Sequence, residues 1–409
     1  MIINLIFAAR KWHNFNINPL YLTYVQTNIM QTSLFHYCGS EWKKHTVSQL
    51  AENTNAQLVL CFGGKEVLQK PGIYAVVKEQ FPAAEITMCS TAGEIYQDAV
   101  QENSLVAVAL QFEKTTINTA SVNIADHQNS YDAALALAGK LPNKGLKYVM
   151  VFSDGRLVNG SELVKGLNLV TGKDVLVTGG LAGDGADFKS TLVGLNEQPA
   201  PGKIVAAGFY GDAITITHGS QGGWDIFGLE KEITRSESNV LFEIENQNAL
   251  ELYKKYLGPE AANLPASALL FPLYVTIPGA AKPVVRTILS IDEERKSMTF
   301  AGDVPEGSKV KFMKANFEKL TEAASIAASQ SLVDQKNRPA FALLVSCVGR
   351  KLILGNHTAD EIKAVNRTFD NQTVLAGFYS YGEISPFNDS NDCQLHNQTM
   401  TITSFFESV

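Results

Sequence analysis

Two side chains of opposite charge stand beside glycines near the C-terminal end of the chain. Arg350 follows Gly349, and Glu383 follows Gly382. A guanidinium binds a carboxylate through paired hydrogen bonds, and a carboxylate in turn can hold an ammonium group. The pair would therefore grip an amino acid, with Arg350 on its carboxylate and Glu383 on its ammonium group. A structural ion pair without a ligand is the other interpretation, because structural networks use the same side chains.

Aromatic residues surround the predicted acidic site. Phe378, Tyr379 and Tyr381 lie in the run 377–384, and aromatic walls around one carboxylate are typical of a small-molecule pocket. Core packing is the alternative, since it is the more common location of aromatic side chains at strand ends. The residues that we predict to bind a ligand are Arg350, Glu383, Gly382, Tyr381, Tyr379, Cys347 and His396.

A thiol lies close to the same base, because Cys347 precedes Arg350 by three residues. A nearby cation lowers the pKa of a thiol and makes it nucleophilic, and His396 would complete a Cys/His pair. The sequence indicates no third orienting residue, and a buried, inert cysteine is the other interpretation. We therefore predict no catalytic residue, with a thiol enzyme that uses Cys347 as the alternative from another functional class.

Other motifs indicate neither a metal site nor a nucleotide site. The glycine-rich run 179–185 looks like a phosphate-binding loop, but no Lys-Ser or Lys-Thr pair follows Gly185. Phe188 stands where a dinucleotide-binding pattern needs its last glycine. We therefore predict a tight structural turn in this run.

A repeated plan must position these residues. Three segments each begin with an apolar, strand-like run that leads to glycine and a base, continue with a helix candidate, and reach a second run with glycine and an acid. The pairs of base and acid are Lys65 and Glu94, Arg156 and Asp184, and Arg350 and Glu383. Each pair is about 30 residues apart, the length of a strand, a crossover helix and a parallel strand. Both charged ends would lie at the carboxyl edge of a sheet, where ligands of α/β proteins bind.

This plan predicts an α/β protein of repeated strand–helix–strand units, which form mixed sheets covered by helices in a two-part architecture. The helix candidates cover roughly 66–80, 160–170 and 358–368. A different pattern fills residues 224–330, so the boundary between the halves lies near 230–250. The predicted parts are an N-terminal extension and lead-in over 1–55, one α/β domain over 56–240 and a second over 241–409.

Composition restricts the partners and the location. A net charge of −7 argues against a nucleic-acid-binding surface. No apolar run approaches the roughly 20 residues that cross a bilayer, which argues against membrane insertion. Five scattered cysteines without a C-x-x-C pair favour a reducing compartment, and therefore the cytoplasm. Residues 1–29 lack clear periodicity, so that Met30 is a candidate for the natural start.

Several motifs, in order along the chain, resemble the FIST sensory family, which combines a FIST N domain and a FIST C domain. The resemblance covers roughly residues 56–406. The matching pieces are STAGEI at 90–95, GGLAGDG at 179–185, the helix end KYLG at 255–258, AGDVPEG at 301–307, CVGR at 347–350, GFYSYGEI at 377–384 and LHNQT at 395–399.

The resemblance implies a signal-input module that binds a small ligand, such as an amino acid, and regulates a separate protein. One branch resembles haem-bound nitric oxide sensors that act on histidine kinases. In that alternative, His396 or His357 would ligate a noncovalent haem, since no C-x-x-C-H occurs. Otherwise no cofactor is expected. A backbone-bonded histidine in a turn is the competing interpretation of His396.

Overall fold

The computed structural model describes residues 28–50, 52–280, 282–333, 337–387 and 392–409. The suggested start at Met30 concerns residues that lie mostly outside this part of the chain. In the described part, no helix is both long enough and apolar enough to cross a membrane.

Three α/β units share one plan, and the first unit shows it most simply. Its strands are β1 (Gln31–Cys38), β2 (Glu41–Lys44), β3 (Leu58–Gly63), β4 (Glu85–Ser90), β5 (Glu94–Tyr96), β6 (Ala99–Gln101) and β7 (Leu105–Gln111), with helices α1 (Lys65–Leu68) and α2 (Ile73–Gln80). Strands β3 and β4 are parallel, and β7 pairs antiparallel with both β3 and β1. The helix predicted over 66–80 is broken between α1 and α2, because Pro71 and Gly72 interrupt it and Gly72 has a φ of +83°.

The second unit repeats the plan. Its elements are β8 (Thr116–Asn123), α3 (Ser130–Gly139), β9 (Leu146–Ser153), α4 (Gly160–Thr171), β10 (Leu176–Leu181), β11 (Val193–Leu195) and β12 (Lys203–Tyr210). Strands β9 and β10 are parallel, and β12 pairs antiparallel with both β9 and β8. Asn159 caps α4 by accepting hydrogen bonds from the amides of Ser161 and Glu162.

The third unit follows the same order after an insertion. Its elements are β13 (Ile214–Gln221), α6 (Phe317–Gln330), β22 (Phe341–Cys347), α7 (Val348–Leu354), α8 (Thr358–Thr368), β23 (Val374–Ser380), β24 (Gly382–Pro386), β25 (Cys393–His396) and β26 (Met400–Glu407). Strands β22 and β23 are parallel, and β26 pairs antiparallel with both β22 and β13. The predicted parallel pairs and mixed sheets are therefore confirmed in all three units.

An antiparallel sheet, here called the insert sheet, separates β13 from α6. It consists of β14 (Trp224–Glu237), β15 (Val240–Ile244), β16 (Gln247–Asn248), β17 (Leu273–Thr276), β18 (Val284–Arg286), β19 (Ile288–Asp292), β20 (Ser297–Phe300) and β21 (Lys309–Ala315), with helix α5 (Ala249–Leu257). The buried side of α5 packs with the sheet in a separate apolar core that includes Leu250, Tyr253 and Phe312. The described chain is thus a mixed α/β protein with two parts, as predicted.

The three units exchange strands in a closed cycle. The first unit gives β5 and β6 to the third, where β5 pairs with β23. The second unit gives β11 to the first, where it pairs with β4. The third unit gives β24 and β25 to the second, where β24 pairs with β10. The second strand of each parallel pair, that is, β4, β10 or β23, is therefore flanked by a strand from a neighbouring unit.

Aromatic rings close the centre where the units meet. Phe62, Phe152 and Phe378 come from the first, second and third units, and all three are buried. Their ring centroids lie 5.6 Å apart for Phe62 and Phe152, 5.1 Å for Phe62 and Phe378, and 5.8 Å for Phe152 and Phe378. Burial of these large apolar surfaces joins the three units into one core.

Candidate functional site

Glu383 joins two segments of the third unit by hydrogen bonds. Its carboxyl accepts hydrogen bonds from the Ser380 hydroxyl at 2.6 Å, and from the amide and hydroxyl of Thr399 at 3.1 and 3.0 Å. Burial raises the pKa of Glu383 to about 8, although these hydrogen bonds act in the opposite direction. These hydrogen bonds fix the turn before β24 against the segment that leads into β26.

Glu94 makes the equivalent hydrogen bonds in the first unit. It accepts hydrogen bonds from the Thr91 hydroxyl at 2.7 Å, and from the amide and hydroxyl of Ser104 at 3.2 and 2.9 Å. Burial raises the pKa of Glu94 to about 7, again against the effect of its hydrogen bonds. The glycine–acid ends of these two units thus serve the strand exchange.

These raised pKa values predict that Glu94 and Glu383 make a contribution to stability that is lost as the pH rises from about 4.5 to about 8. The folded state keeps protons on both groups that the unfolded chain releases near pH 4.5, so their contribution to the free energy of unfolding falls across this window. The raised pKa of Glu94 alone corresponds to a loss on the order of 3 kcal/mol in the free energy of unfolding across this window. The lowered pKa of the buried His396 acts in the opposite direction up to about pH 6.5. Urea titrations of Glu383→Gln at several pH values should show a flatter pH dependence than the unchanged protein shows. Exposed Glu79→Gln is the control and should keep the original slope; equal slopes in all three proteins would contradict the prediction.

The predicted ion pair between Arg350 and Glu383 is wrong. Arg350 donates from Nε and Nη2 to Oε2 of Glu361, at 3.1 and 2.7 Å, and both side chains are fully buried. Its remaining donors reach the carbonyl oxygens of Leu320, at 2.8 Å, and of Gly222. Helix α8 places Glu361, and not Glu383, in contact with the guanidinium. Arg350 still acts on Glu383, but its charge opposes the rise in the pKa of Glu383 less than burial favours that rise.

Glu361 is the acid that sequence reasoning missed. It also accepts hydrogen bonds from the hydroxyls of Tyr379, at 2.7 Å, and Ser346, at 3.1 Å. Burial, together with the charge of Glu361, holds the pKa of Tyr379 well above its usual value. In the sequence, Glu361 looks like an ordinary acid in the first turn of a helix, next to the half-exposed Asp360. The helical spacing with the buried Ile362 and Val365 was the available signal.

Asp184, the acid of the second unit, joins all three units. It lies 3.2 Å from Nζ of Lys65 in the first unit and accepts a hydrogen bond from the Tyr381 hydroxyl of the third unit. The amides of Lys189 and Ser190 also donate to it, at 3.0 and 2.8 Å. Burial opposes ionisation, but these hydrogen bonds outweigh it and lower the pKa of Asp184.

A base follows the first strand of the parallel pair in each unit, that is, β3, β9 or β22. Lys65, after β3, pairs with Asp184 of the second unit. Lys351, after β22, donates to the Ala92 carbonyl at 2.6 Å and pairs with Glu102 of the first unit. The structure therefore uses Lys351, and not the predicted Arg350, at this boundary. Two of the three boundaries are closed by an ion pair.

Arg156 occupies the third boundary, between the second and third units. Asp154 fixes its backbone, because Oδ1 of Asp154 accepts hydrogen bonds from the amides of Arg156 and Leu157, both at 2.7 Å. A side chain at Gly155 would place its Cβ 2.0 Å from the Ala182 carbonyl oxygen, so only glycine allows this close approach. Arg156 itself is exposed, and its guanidinium has no hydrogen-bond or ion-pair partner among the described residues.

A cleft of about 570 Å³ opens beside Arg156, between the second unit, the third unit and the insert sheet. Its size is typical of small-molecule sites. Leu157 and Leu289 are the exposed leucines of its lining, with residue exposures of 58% and 45%. The lining residues are Gly155, Arg156, Leu157, Val158, Asn159, Gly160, Leu181, Phe188, Asn239, Leu289, Ser290, Thr299, Phe300, Ala301, Gly302, Tyr381 and Leu395.

Two stacked rings form one wall of the cleft. The rings of Phe188 and Tyr381 lie 4.6 Å apart with an angle of 17° between their planes. The Tyr381 hydroxyl donates to Asp184 and accepts from the amides of Asp184 and Phe188, both at 3.1 Å. Tyr381, one of the predicted ligand-binding residues, thus lines a cleft, and its hydroxyl holds the loop that carries Phe188.

The insert sheet forms the opposite wall and is tied to helix α4. Asp303, next to the lining residue Gly302, pairs with Lys165 at 3.1 Å and accepts a hydrogen bond from Asn159 at 3.2 Å. Its amide donates to the Ser161 hydroxyl at 3.2 Å. The AGDVPEG motif therefore links the two parts of the protein at the edge of the cleft.

The two histidines do not fit a haem site. His396 is buried, and its Nε2 is hydrogen-bonded to the Ser385 carbonyl at 2.9 Å, so ligation of iron there would break this bond. Burial lowers the pKa of His396 to about 4. It lines a second cleft, of about 320 Å³. His357 is exposed at the surface and is bonded to Asp360 at 3.0 Å.

Cys347 does not have the environment of a nucleophile. Burial raises the pKa of its thiol, and the nearby Glu383 adds to this effect. Arg350 acts in the predicted direction, but its lowering of the pKa is outweighed, so the predicted activation of the thiol is wrong. Among the described contacts, none joins Cys347 to His396. Gly382 packs against the Leu395 and Leu181 side chains. Ligand contacts by the buried Cys347, Tyr379, Gly382 and Glu383 stay predictions.

Sequence reasoning missed the cleft because its walls come from separate stretches of the chain. The repeat pattern pairs Arg156 with Asp184, but among the described contacts none joins these two side chains. The second unit differs from the other two in the turn after its first parallel strand, where the exposed Arg156 follows the buried Asp154. This difference was the available signal. In the part of the chain that the structure describes, no group of three or more His, Cys, Asp or Glu side chains could hold a metal ion.

The fold and the cleft define a two-part α/β protein with a ligand-sized space between its parts. The chain belongs to the FIST family: residues 57–247 match the FIST N domain, and residues 249–386 match the FIST C domain. These domains are sensory domains of signal transduction. No curated protein sequence matches the chain.

Solved structures with a similar course of the chain include two kinds of enzyme. A chorismatase has a TM-score of 0.36 and 9% identity, over 93% of this chain and 98% of that chain. A cyanuric acid hydrolase from A. caulinodans has a TM-score of 0.33 and 6% identity, over 93% of this chain and 100% of that chain. At this level, the likeness says nothing about the activity of the present chain.

Proposed function

We propose that the chain is a non-catalytic sensory module, which binds a small anionic molecule in the cleft beside Arg156 and regulates a separate signalling protein, such as a histidine kinase. One observation carries the proposal. Lys65 and Lys351 reach across their unit boundaries to acidic partners, whereas Arg156 reaches a cleft and has no partner among the described residues.

The missing partner points to a ligand. At the two closed boundaries, an acid of the next unit neutralises the base, so that the protein supplies both charges. At the third boundary, the protein supplies only the guanidinium, next to a space of ligand size. An arginine binds carboxylate or phosphate oxygens through paired, charge-assisted hydrogen bonds. An anion in the cleft would therefore complete the cycle of charge pairs.

The position of the cleft provides a route for the signal. Arg156 and Phe188 belong to the FIST N part, while Tyr381 and the insert-sheet residue Phe300 belong to the FIST C part. A ligand that contacts both parts binds best to one relative arrangement of them, and so shifts the population toward it. The partner protein would read this shift.

A non-catalytic role agrees with the side chains in the cleft. Among its described lining residues, Ser290, Thr299 and Tyr381 carry hydroxyls. The Tyr381 hydroxyl is engaged with Asp184 and the loop amides, and no histidine, lysine or carboxylate in the lining stands ready to activate the other two. The five cysteines are free, which suits a reducing compartment, and we include a cytoplasmic location in the proposal.

Replacement of Arg156 tests the proposal. A thermal-shift panel of amino acids, other carboxylates and phosphate esters should yield at least one anion that stabilises the protein, and titration calorimetry should then give its affinity. Arg156→Ala should weaken that affinity by about 30-fold, the usual effect of losing a charge-assisted hydrogen bond. Arg367→Ala, an exposed arginine on α8, is the matched control and should change nothing. A panel without any binder, or binding that Arg156→Ala leaves unchanged, would refute the proposal.

A further inference from the structure

We infer that the cleft selects carboxylates that have an aromatic or other apolar body and no ammonium group. This inference rests on the proposed function and narrows it, because it excludes free amino acids as the preferred ligands. It follows from three features of the cleft: the single charge in its lining, the engagement of every nearby acid, and the chemistry of its walls.

Arg156 is the only charged residue among the described lining residues of the cleft. Four acids lie beside the lining, and each has a partner. Asp184 has a side chain with no exposed surface and is held by Lys65 and the Tyr381 hydroxyl. Asp303 is held by Lys165 and Asn159. Asp154 accepts hydrogen bonds from the amides of Arg156 and Leu157, and Asp187 lies 3.7 Å from Nζ of Lys189. None of these carboxylates belongs to the lining, so a second, positive group on a ligand would meet no acid there.

An α-amino acid would bring its ammonium group within a few ångströms of its own carboxylate, and therefore close to the Arg156 guanidinium. Two positive groups would then share one carboxylate in a space partly removed from water. Transfer of an unpaired ammonium group out of water is unfavourable, and the like charge of Arg156 adds to the penalty. A ligand that lacks the ammonium group avoids both effects and keeps the paired hydrogen bonds to the guanidinium.

The walls favour an apolar body on the ligand. The lining includes the aromatic residues Phe188, Tyr381 and Phe300 and the leucines Leu181, Leu289 and Leu395, of which Phe188 and Leu289 are the more exposed. The Tyr381 hydroxyl is turned to the loop at residues 184–188 and is fully engaged there. A flat, apolar group can stack on such rings.

A matched pair of probes isolates the effect of the ammonium group. Phenylalanine is 3-phenylpropionate with an added ammonium group, and titration calorimetry at pH 7 compares the two on the full chain. We expect 3-phenylpropionate to bind at least tenfold more tightly than phenylalanine. Arg156→Ala should remove most of this binding, and Phe188→Ala should weaken it severalfold, while Arg367→Ala should match the unchanged protein. Acetate, which shares the carboxylate but lacks the ring, should bind much more weakly.

Other outcomes separate this inference from the proposed function. If phenylalanine binds as tightly as 3-phenylpropionate, and Arg156→Ala weakens both, the inference fails while the proposed anion site stands. If only phosphate esters bind, and their binding depends on Arg156, the inference also fails while the proposed anion site stands. If 3-phenylpropionate binds but Arg156→Ala and Phe188→Ala leave its affinity unchanged, the inference fails as well. Only the absence of any Arg156-dependent anion removes the proposed function too.

Discussion

Glu361→Gln should destabilise the protein by roughly 3–5 kcal/mol, because it removes one partner of a buried ion pair and leaves the other charged. Arg350 and Glu361 have no exposed side-chain surface, and the guanidinium has no route to water when its carboxylate is lost. The same substitution also weakens the acceptor for Tyr379 and Ser346. Urea unfolding followed by tryptophan fluorescence measures the loss.

A second variant and a surface control make this test specific. Arg350→Met should destabilise the protein to a similar extent, and the double variant should lose less than the sum of the two single losses, because neither charge is then left alone. Lys203→Met breaks the partly exposed pair with Glu197, 2.8 Å long, and should change the free energy of unfolding by less than about 1 kcal/mol. A loss of under 1 kcal/mol in Glu361→Gln would show that the pair is not the buried bond described above.

Gly377→Ala should destabilise the protein by roughly 3 kcal/mol or more. Gly377 lies in β23 directly opposite Leu344 of the parallel strand β22, and a Cβ at this position would lie 1.8 Å from the Leu344 carbonyl oxygen. Neither strand can move away easily, because β23 is held on its other side by the exchanged strand β5. The thermal midpoint and the urea midpoint should therefore both fall strongly.

Gly139→Ala is the matched control for this substitution. Gly139 ends helix α3, and an added Cβ would meet no atom within 4 Å. Alanine should be neutral there or stabilise the helix by about 0.5–1 kcal/mol. If Gly377→Ala and Gly139→Ala behave alike, then β22 and β23 do not pair in the register given above.

The sequence predicts the repeated units well, because a parallel strand–helix–strand unit leaves its own pattern. Buried strands such as Phe341–Cys347 are continuous apolar runs, and helix α8 begins and ends where the helical spacing places it. The strand exchange leaves no such pattern. Strands as short as β5 and β11, with three residues each, pair with a neighbour that only the assembled fold brings near.

The error at Arg350 has a similar origin. Spacing along the chain brought Arg350 and Glu383 to one region of the sheet, but it could not show which acid would reach the guanidinium first. Burial on the inner side of α8 decided for Glu361. The role of Arg156 was equally hidden, since it depends on the partners that it lacks and on walls from many separate segments of the chain.

A crystal structure of the protein soaked with 3-phenylpropionate tests the central claim most directly. The account predicts that the carboxylate lies within hydrogen-bonding distance of the Arg156 guanidinium, with the phenyl ring against Phe188 and Tyr381. A ligand that binds elsewhere, or that turns its carboxylate away from Arg156, would contradict the account.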